Sequence, residues 1–312
     1  MRWFQHGLDV NQAVPRFSTR ADLVAVARLL RDGARHYYGL NGKGLPTLLN
    51  DAHAVVLEGP HQELWAVALV DYAFQRTTWL RGVGLTRGIR VQAAIESLLP
   101  LLHKAAYERG VRRIFYTGDD TDDSWLLSSL RRYGYEHDTD VLVYEKRNLY
   151  RPSTGNQTVH IRPVRPQDEP AITMLDRACF EAHWTKEGTA LELTMVQDAC
   201  FMAAELGNQI VGYAYVSIHN QGKLLHLVRL AVDPRYRGQG IGVRLVAEVV
   251  ALGQRYRTEV ITLNTQSYNH EAQQIYRWFG FMKTGERQEV LRYDYGDDGN
   301  GDGSDDERRD GC

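Results

Sequence analysis

Apolar residues recur along this chain in two rhythms, and the order of these rhythms is similar in its two halves. Near residue 20 and again near residue 170, apolar positions recur every three or four residues, which predicts an amphipathic helix at the start of each half. Ser18 or Thr19 can cap the first helix, and Asp168 the second. The apolar positions are Leu23, Val26, Ala27 and Leu30 in the first helix, and Ile172, Leu175 and Ala178 in the second.

After its opening helix, each half has the pattern of a strand pair, a third strand and a long helix. The predicted strand pairs are 54–57 with 64–72 and 200–206 with 210–218, and the predicted long helices are 91–108 and 242–255. Gly207-Asn208 suits the turn of the second strand pair. Each half then ends in strand, helix and strand, and the last helices stop at Gly134 and Gly280, which suit left-handed C-caps.

This repeated order predicts a tandem duplication. Each copy is expected to be an α/β (α+β) fold, a mixed and largely antiparallel sheet flanked by helices. The polar stretch from Arg147 to Thr158 is rich in turn-forming residues, so we predict domains at 1–147 and 159–295 joined by a linker at 148–158. The tail, 296–312, is mostly Gly and Asp with almost nothing apolar, and it is expected to be disordered and acidic.

Composition narrows the possible partners. The formal net charge is −2, so there is no overall basic field to attract nucleic acid or an anionic membrane surface. No apolar run is long enough to span a bilayer, and the N-terminus lacks the apolar core of a secretory signal, so we expect a cytoplasmic protein. The wide spacing of Cys179, Cys200 and Cys312 predicts reduced thiols and no metal site.

The strongest local motif is a glycine-rich loop between a predicted strand at 226–232 and the long helix of the second half. Gly238, Gly240 and Gly242 leave main-chain N–H groups bare at the positive end of a helix, where phosphate oxygens bind well. Arg237 adds a charge that can pair with phosphate. Taken alone, such a loop also fits an ordinary strand–helix turn. A dinucleotide-binding fold is disfavoured, because no acidic residue ends a following strand at the expected place.

Further residues after this loop complete a recognisable series. Asn269, Ala272, Tyr276 and Gly280 follow in order, and together with the loop they resemble the GNAT N-acetyltransferase superfamily over 159–295. The resemblance implies tandem GNAT folds and acetyl-CoA as cosubstrate, with its diphosphate on the glycine loop. The implied cofactor-binding residues are Leu230, Ala231, Val232, Arg237, Gly238, Gln239, Gly240, Ile241, Gly242, Asn269 and Ala272.

The same resemblance implies the chemistry. The N–H of Val232, on a splayed strand, would polarise the thioester carbonyl, and Tyr276 would protonate the departing thiolate. Simpler structural roles remain open: Leu230 and Val232 as core side chains, Tyr276 as a core-facing aromatic residue, and Asn269 as a helix N-cap.

His226 is the candidate general base for the attacking amine. It lies four residues before Leu230 on the same predicted strand, so alternation predicts that the two side chains share a face. Its position resembles that of the glutamate base of histone acetyltransferases and of a catalytic histidine of serotonin N-acetyltransferase. A polar residue at a strand end, or loss of the proton directly to water, are the alternatives.

The second half also resembles the ribosomal-protein alanine N-acetyltransferases, through Cys179, Phe180 and Trp184. Those enzymes carry a glutamate base in a Leu-Glu-Val-Arg strand, where this chain has Leu263-Asn264-Thr265-Gln266. Asn264 cannot accept a proton, which puts protein N-terminal acetylation by that mechanism in doubt. In the family the region of 180–184 walls the acceptor pocket, although Phe180 and Trp184 also suit a core.

The first half is expected to be a degenerate GNAT-like copy. In alignment with the second half, Arg90 and Gln92 replace Gly240 and Gly242, and Leu130 replaces Tyr276. We therefore predict a tandem N-acetyltransferase that moves an acetyl group from acetyl-CoA to a primary amine of a small molecule or peptide by direct attack. The alternative is a non-catalytic acyl-CoA-binding or partner-docking module. The sequence leaves the acceptor and the oligomeric state open.

Overall fold

Two compact units make up the protein. The computed structural model describes residues 7–39, 44–119, 121–185 and 199–296. Within these, unit 1 contains residues 7–139 and 288–296, and unit 2 contains residues 140–287. The predicted disordered tail lies outside the described residues apart from Gly296.

Unit 1 is a mixed sheet with helices on both faces. The elements are β1 (Val14–Phe17), α1 (Leu23–Asp32), β2 (Arg35–Tyr38), α2 (Leu45–Asn50), β3 (Ala54–Glu58), β4 (Leu64–Val70), β5 (Thr77–Leu85), α3 (Val91–Glu108), β6 (Arg113–Asp119), α4 (Ser124–Tyr133), the first residues of β7 (Glu136–Lys146) and the last residues of β13 (Met282–Asp294). The sheet has the order β1-β3-β4-β5-β6-β13, all antiparallel except the parallel pair β5–β6. Helices α3 and α4 cover one apolar cluster, and α1 and α2 cover another.

Unit 2 repeats this plan. The elements are β8 (His160–Pro163), α5 (Glu169–Cys179), β9 (Ala199–Leu206), β10 (Gln209–His219), β11 (Leu224–Val232), α6 (Ile241–Tyr256), β12 (Val260–Gln266) and α7 (His270–Trp278). The strand order is β8-β9-β10-β11-β12-β7, and among these described pairs β11–β12 alone is parallel. Helices α6 and α7 pack on one face of the sheet, and α5 packs on the other.

The last strand of each half crosses from one unit to the other. Residues 141–146 of β7 pair with β12 in unit 2, whereas residues 288–294 of β13 pair with β6 in unit 1. The predicted boundaries, 1–147 and 159–295, place all of β7 in the first domain and all of β13 in the second, so they differ from the observed units. Pairing between strands so far apart in the chain leaves no local pattern in the sequence. As functional domain limits, those boundaries stay a prediction.

An identical charged triad supports the duplication. In each unit, an arginine on the first strand binds the aspartate before the first helix and a glutamate on the neighbouring strand. The arginine holds the pKa of each aspartate below its usual value. The triads are Arg16 with Asp22 and Glu58, and Arg162 with Asp168 and Glu205.

The predicted fold class, a largely antiparallel mixed sheet flanked by helices, is confirmed in each unit. Helix α3 has the predicted limits, and Gly134 and Gly280 are left-handed at the ends of α4 and α7. The pattern missed β2 and α2, which are short and lack a clean periodicity. Among the described residues, no helix has the length and apolar character needed to cross a membrane.

Candidate active site

Strands β11 and β12 pair for only part of their length. Leu224–Leu227 pair with Val260–Leu263, and β12 then continues to Gln266 against β7. β11 stays paired with β10 up to Val232. Among the described residues, the edge of β11 from Val228 to Val232 therefore has no strand partner on the β12 side. Main-chain groups along such an edge that bond neither β10 nor a side chain can bind a ligand.

A β-bulge lies at the start of this open edge. Tyr215 of β10 pairs with Arg229 and the next residue, Val216, pairs with Leu227, so Val228 is left out of the register. Leu227 and Leu230 consequently pack in the same cluster under α6, although they are three residues apart. An extra residue in one strand shifts the alternation of every side chain beyond it.

The bulge overturns one prediction about His226. This residue precedes the bulge and alternates with Leu225 and Leu227, so its side chain lies on the α5 face, opposite the face of Leu230. The predicted shared face is wrong, because simple alternation does not hold across the bulge. His226 is half-buried, and its Nδ1 lies 2.9 Å from Oγ1 of Thr262 on β12.

The glycine loop leads into α6 as the sequence predicted, one residue earlier than expected. Gly238 and Gly240 are left-handed, with φ of +75° and +74°. Gly240 is the N-cap and supplies no capping side chain, and the first helical bond runs from the N–H of Arg244 to its carbonyl at 3.0 Å. The N–H groups of the first turn therefore have no acceptor inside the helix, at the positive end of its dipole.

The loop, the open strand edge and α7 converge at Gly242. A Cβ there would lie 3.5 Å from Cδ1 of Ile275 and 3.7 Å from Cγ2 of Val232. Ile275 is the neighbour of Tyr276, and Val232 ends the open edge. The structure thus brings three predicted parts of the site together around one small residue.

Arg237 contacts the main chain at the end of the open edge. Its Nε donates to the carbonyl of Val232 at 3.3 Å, and the thiol of Cys179 donates to the same carbonyl at 3.2 Å. Burial raises the pKa of Cys179 to about 11, which keeps the thiol protonated as a donor. Both side chains fix the end of the open edge. Pairing of Arg237 with phosphate stays a prediction.

Tyr276 is a core-facing residue of α7. Its side chain is buried, with ring centroids 5.9 Å from Phe281 and 6.3 Å from Tyr144. Burial raises its pKa to about 12, because the phenolate would lose hydration. The hydroxyl therefore keeps its proton at neutral pH, which suits a proton donor.

Asn269 is the N-cap of α7, the alternative that the sequence left open. Its side-chain oxygen accepts from the N–H of Ala272 at 3.2 Å. This bond occupies the oxygen alone, so binding by the amide of Asn269 is compatible with capping.

A buried ion pair next to the bulge was missed by the sequence reasoning. Nε of Arg229 lies 2.6 Å from Oδ1 of Asp176 on α5, and both side chains are less than 10% exposed. The guanidinium also donates to the carbonyl of Trp184 at 2.9 Å and lies 3.7 Å from the ring centre of Phe180. Arg229 thus holds the predicted acceptor wall, Phe180 and Trp184, against β11. The sequence did carry one signal for this pair, which is a charged residue among the apolar residues of each of the two elements.

Removing one partner of this pair should cost stability. We expect Asp176→Ala to lower the free energy of unfolding by about 3–5 kcal/mol, because it leaves the buried Arg229 charge uncompensated. Urea denaturation measures the change. Asp32→Ala, which breaks the exposed pair with Arg31, is the control and should leave the transition unchanged. Equal effects of the two variants would contradict the interpretation.

Unit 1 contains the same strand arrangement with its edge filled. β5 also has a bulge, where Leu69 pairs with Gly82 and Val70 with Leu80, and it pairs with β6 only over Thr77–Trp79. The remaining edge, Gly82–Leu85, pairs with β2. A strand of the protein therefore occupies the place that stays open in unit 2, which gives a physical reason for the predicted loss of cofactor binding.

Comparisons with known proteins match part of this chain to a known family. The Acetyltransferase (GNAT) family matches residues 170–281. A putative [ribosomal protein bS18]-alanine N-acetyltransferase of Bacillus subtilis is 27% identical over 128 residues, which are 41% of this chain and 83% of that protein. Further curated relatives are matched over 41% or less of their own length.

Solved structures share the fold. A GCN5-related N-acetyltransferase from Kribbella flavida superposes with a TM-score of 0.67 at 15% identity, over 91% of this chain and 72% of that one. A tandem GNAT protein from the clavulanic acid biosynthesis pathway has a TM-score of 0.52 at 11% identity, over 91% and 98% of the two chains. The predicted resemblance is confirmed: residues 170–281 form an acetyltransferase domain of the GNAT family.

Proposed function

We propose that this protein is an N-acetyltransferase that moves an acetyl group from acetyl-CoA to a primary amine of a small molecule or peptide. One observation carries the proposal: the open edge of β11, ending at Val232, lies beside the uncapped start of α6. A ligand with an amide-bearing arm and a diphosphate can bind both, the arm along the strand edge and the diphosphate on the helix N-terminus.

In this proposal, the N–H groups of Gly238 to Gly242 bind the diphosphate of coenzyme A. The main chain of Leu230, Ala231 and Val232 binds the pantetheine arm, with the amide of Asn269 as a further donor. The open strand edge and the bare helix start support these roles.

The proposed reaction is a direct attack within a ternary complex. The amine nitrogen forms a bond to the acetyl carbon while the N–H of Val232 stabilises the negative charge on the carbonyl oxygen. The carbon–sulfur bond then breaks, and the thiolate takes the proton of Tyr276. The ammonium proton passes to His226 or to water. Because Tyr276 packs in the cluster under α6 and His226 lies on the other face of the sheet, acid and base would serve opposite sides of the reacting carbonyl.

A substitution at His226 tests the base. We expect His226→Gln to lower kcat about 10- to 100-fold at neutral pH, because a positioned base is lost, and to leave the affinity for coenzyme A unchanged. Initial rates at saturating acetyl-CoA measure the effect. His219→Gln is the matched control, since His219 lies on the neighbouring strand with its Nε2 2.9 Å from Oγ of Ser217. An unchanged rate for His226→Gln would assign the proton to water.

The strand that carries the glutamate base in the similar alanine N-acetyltransferases has no basic side chain at that position in this chain. Asn264 is exposed at that position and offers no basic group. The proposed mechanism therefore has no base at position 264. The proposed acceptor is a primary amine of either a small molecule or a peptide.

Two measurements test the proposed function. Calorimetry with coenzyme A should give one site per chain, because β2 fills the equivalent edge of unit 1. Thiol release from acetyl-CoA should be accelerated by at least one member of a panel of small amines and peptides. Binding without acceleration by any amine would favour the alternative, a non-catalytic acyl-CoA-binding module, and absence of binding would refute both.

A further inference from the structure

The segment predicted as a linker contacts the glycine loop through residues 153–158, here called the brace. The side-chain amide of Asn156 donates to the carbonyl of Gln239 at 2.8 Å. The main-chain N–H of Asn156 donates to the carbonyl of Gly240 at 3.2 Å. One residue of the brace therefore binds two successive carbonyls of the loop.

The brace has its own internal support. The side-chain oxygen of Asn156 accepts from the N–H of Thr158 at 2.7 Å and from its hydroxyl at 2.6 Å. Gly155 is left-handed, with φ of +66°, and a Cβ there would lie 2.3 Å from the main-chain nitrogen of Arg244 in α6. Only glycine allows the brace to approach the first turn of α6 this closely.

These contacts decide where the loop N–H groups point. In a trans peptide the C=O and N–H bonds point in opposite directions. When the carbonyls of Gln239 and Gly240 are held towards Asn156, the N–H groups of Gly240 and Ile241 are turned away from the brace. Both N–H groups belong to the set that would bind the diphosphate, so the brace pre-orients donors before a ligand arrives.

We propose that Asn156 is a positioning residue for the diphosphate of coenzyme A. The inference rests on the proposed function, and it adds a residue from outside the glycine loop. Asn156 acts on the ligand through the peptide groups of Gln239 and Gly240. Its effect is confined to the part of the ligand that the loop binds, and the acetyl-bearing end of the arm does not depend on it.

The test compares two acetyl donors, acetyl-CoA and S-acetylpantetheine, which lacks the diphosphate. For Asn156→Ala we expect the KM for acetyl-CoA to rise about tenfold with kcat within about twofold, because one oriented hydrogen-bond donor is lost. Asn156→Asp keeps the acceptor for Thr158 but adds a negative charge near the diphosphate, so its KM should rise more. With S-acetylpantetheine, kcat/KM should equal that of the unaltered protein.

Gln254→Ala is the matched control, because the side-chain amide of Gln254 donates to the carbonyl of Leu149 at 2.9 Å, outside the brace and at the other end of α6. It should leave both donors unaffected, and thermal melting of every variant checks the fold. Equal losses with both donors, or no change in the KM for acetyl-CoA, would overturn the role of Asn156 alone. If the unaltered protein does not bind coenzyme A, the proposed function itself fails.

Discussion

Replacing Gly240 with valine should lower the affinity for coenzyme A about 100-fold, a loss of about 2.7 kcal/mol of binding free energy. Gly240 has a φ of +74°, a conformation that a β-branched residue adopts only with strain. We expect the loop to relax by turning this residue out of the left-handed region, which moves the N–H groups of the first turn of α6. Calorimetry with coenzyme A measures the effect directly.

Backbone strain alone must be separated from loss of the binding site. Gly207 has a φ of +61° in the hairpin between β9 and β10, and open space surrounds the position of its Cβ. Gly207→Val imposes the same kind of strain away from the loop, so it should lower the melting temperature without changing the affinity for coenzyme A. If Gly240→Val bound coenzyme A as tightly as Gly207→Val, the helix start would not be the diphosphate site.

Local signals in the sequence predicted most of the fold. The limits of α3, the left-handed Gly280 after α7 and the start of α6 within one residue follow from helical periodicity and glycine conformation. Each of these features is decided by residues that are neighbours in the chain. The glycine loop and Tyr276 were predicted as site residues for the same reason, since a motif with fixed spacing is a local pattern.

Features that depend on pairing between distant strands could not be predicted from the sequence. The bulge at Val228 depends on how β11 meets β10, and it reversed the predicted face of His226. The exchange of β7 and β13 between the units depends on pairs more than 100 residues apart. The ion pair of Asp176 and Arg229 could not be predicted for the same reason, because the sequence does not show that the two charges lie next to each other.

Comparison of the two units shows which structural difference leaves the strand edge open in unit 2 and fills it in unit 1. Both have the bulge and both have a parallel pair that ends early. The sequence pointed to Arg90 and Gln92 as the cause of the predicted loss of cofactor binding in unit 1, and α3 does begin directly after Arg90. β2 gives a second and more direct cause, because it satisfies the main-chain groups of Gly82–Leu85 that a pantetheine arm would need. Restoring glycines in the loop of unit 1 would therefore not restore binding.

The second large effect is expected at Tyr276. Tyr276→Phe should lower kcat about 100- to 1,000-fold, because the thiolate would leave without a positioned proton donor. The ring contacts with Phe281 and Tyr144 are kept by phenylalanine, so the fold and the affinity for coenzyme A should be unchanged. Thiol release at saturating acetyl-CoA and amine measures kcat. Since burial raises the pKa of Tyr276 to about 12, its proton is retained below that pH, and its ionisation should not limit the rate up to about pH 10.

Tyr144→Phe is the matched control for this substitution. Tyr144 is a second buried phenol of the same cluster, but its hydroxyl donates to Oε1 of Gln273 at 3.1 Å and so supports α7. Its loss should cost some stability while kcat stays within about threefold, since the bond it breaks is an ordinary neutral one. If Tyr144→Phe and Tyr276→Phe reduce kcat equally, the effect belongs to packing around α7. A loss confined to Tyr276→Phe, with coenzyme A still bound, assigns the proton transfer to that hydroxyl.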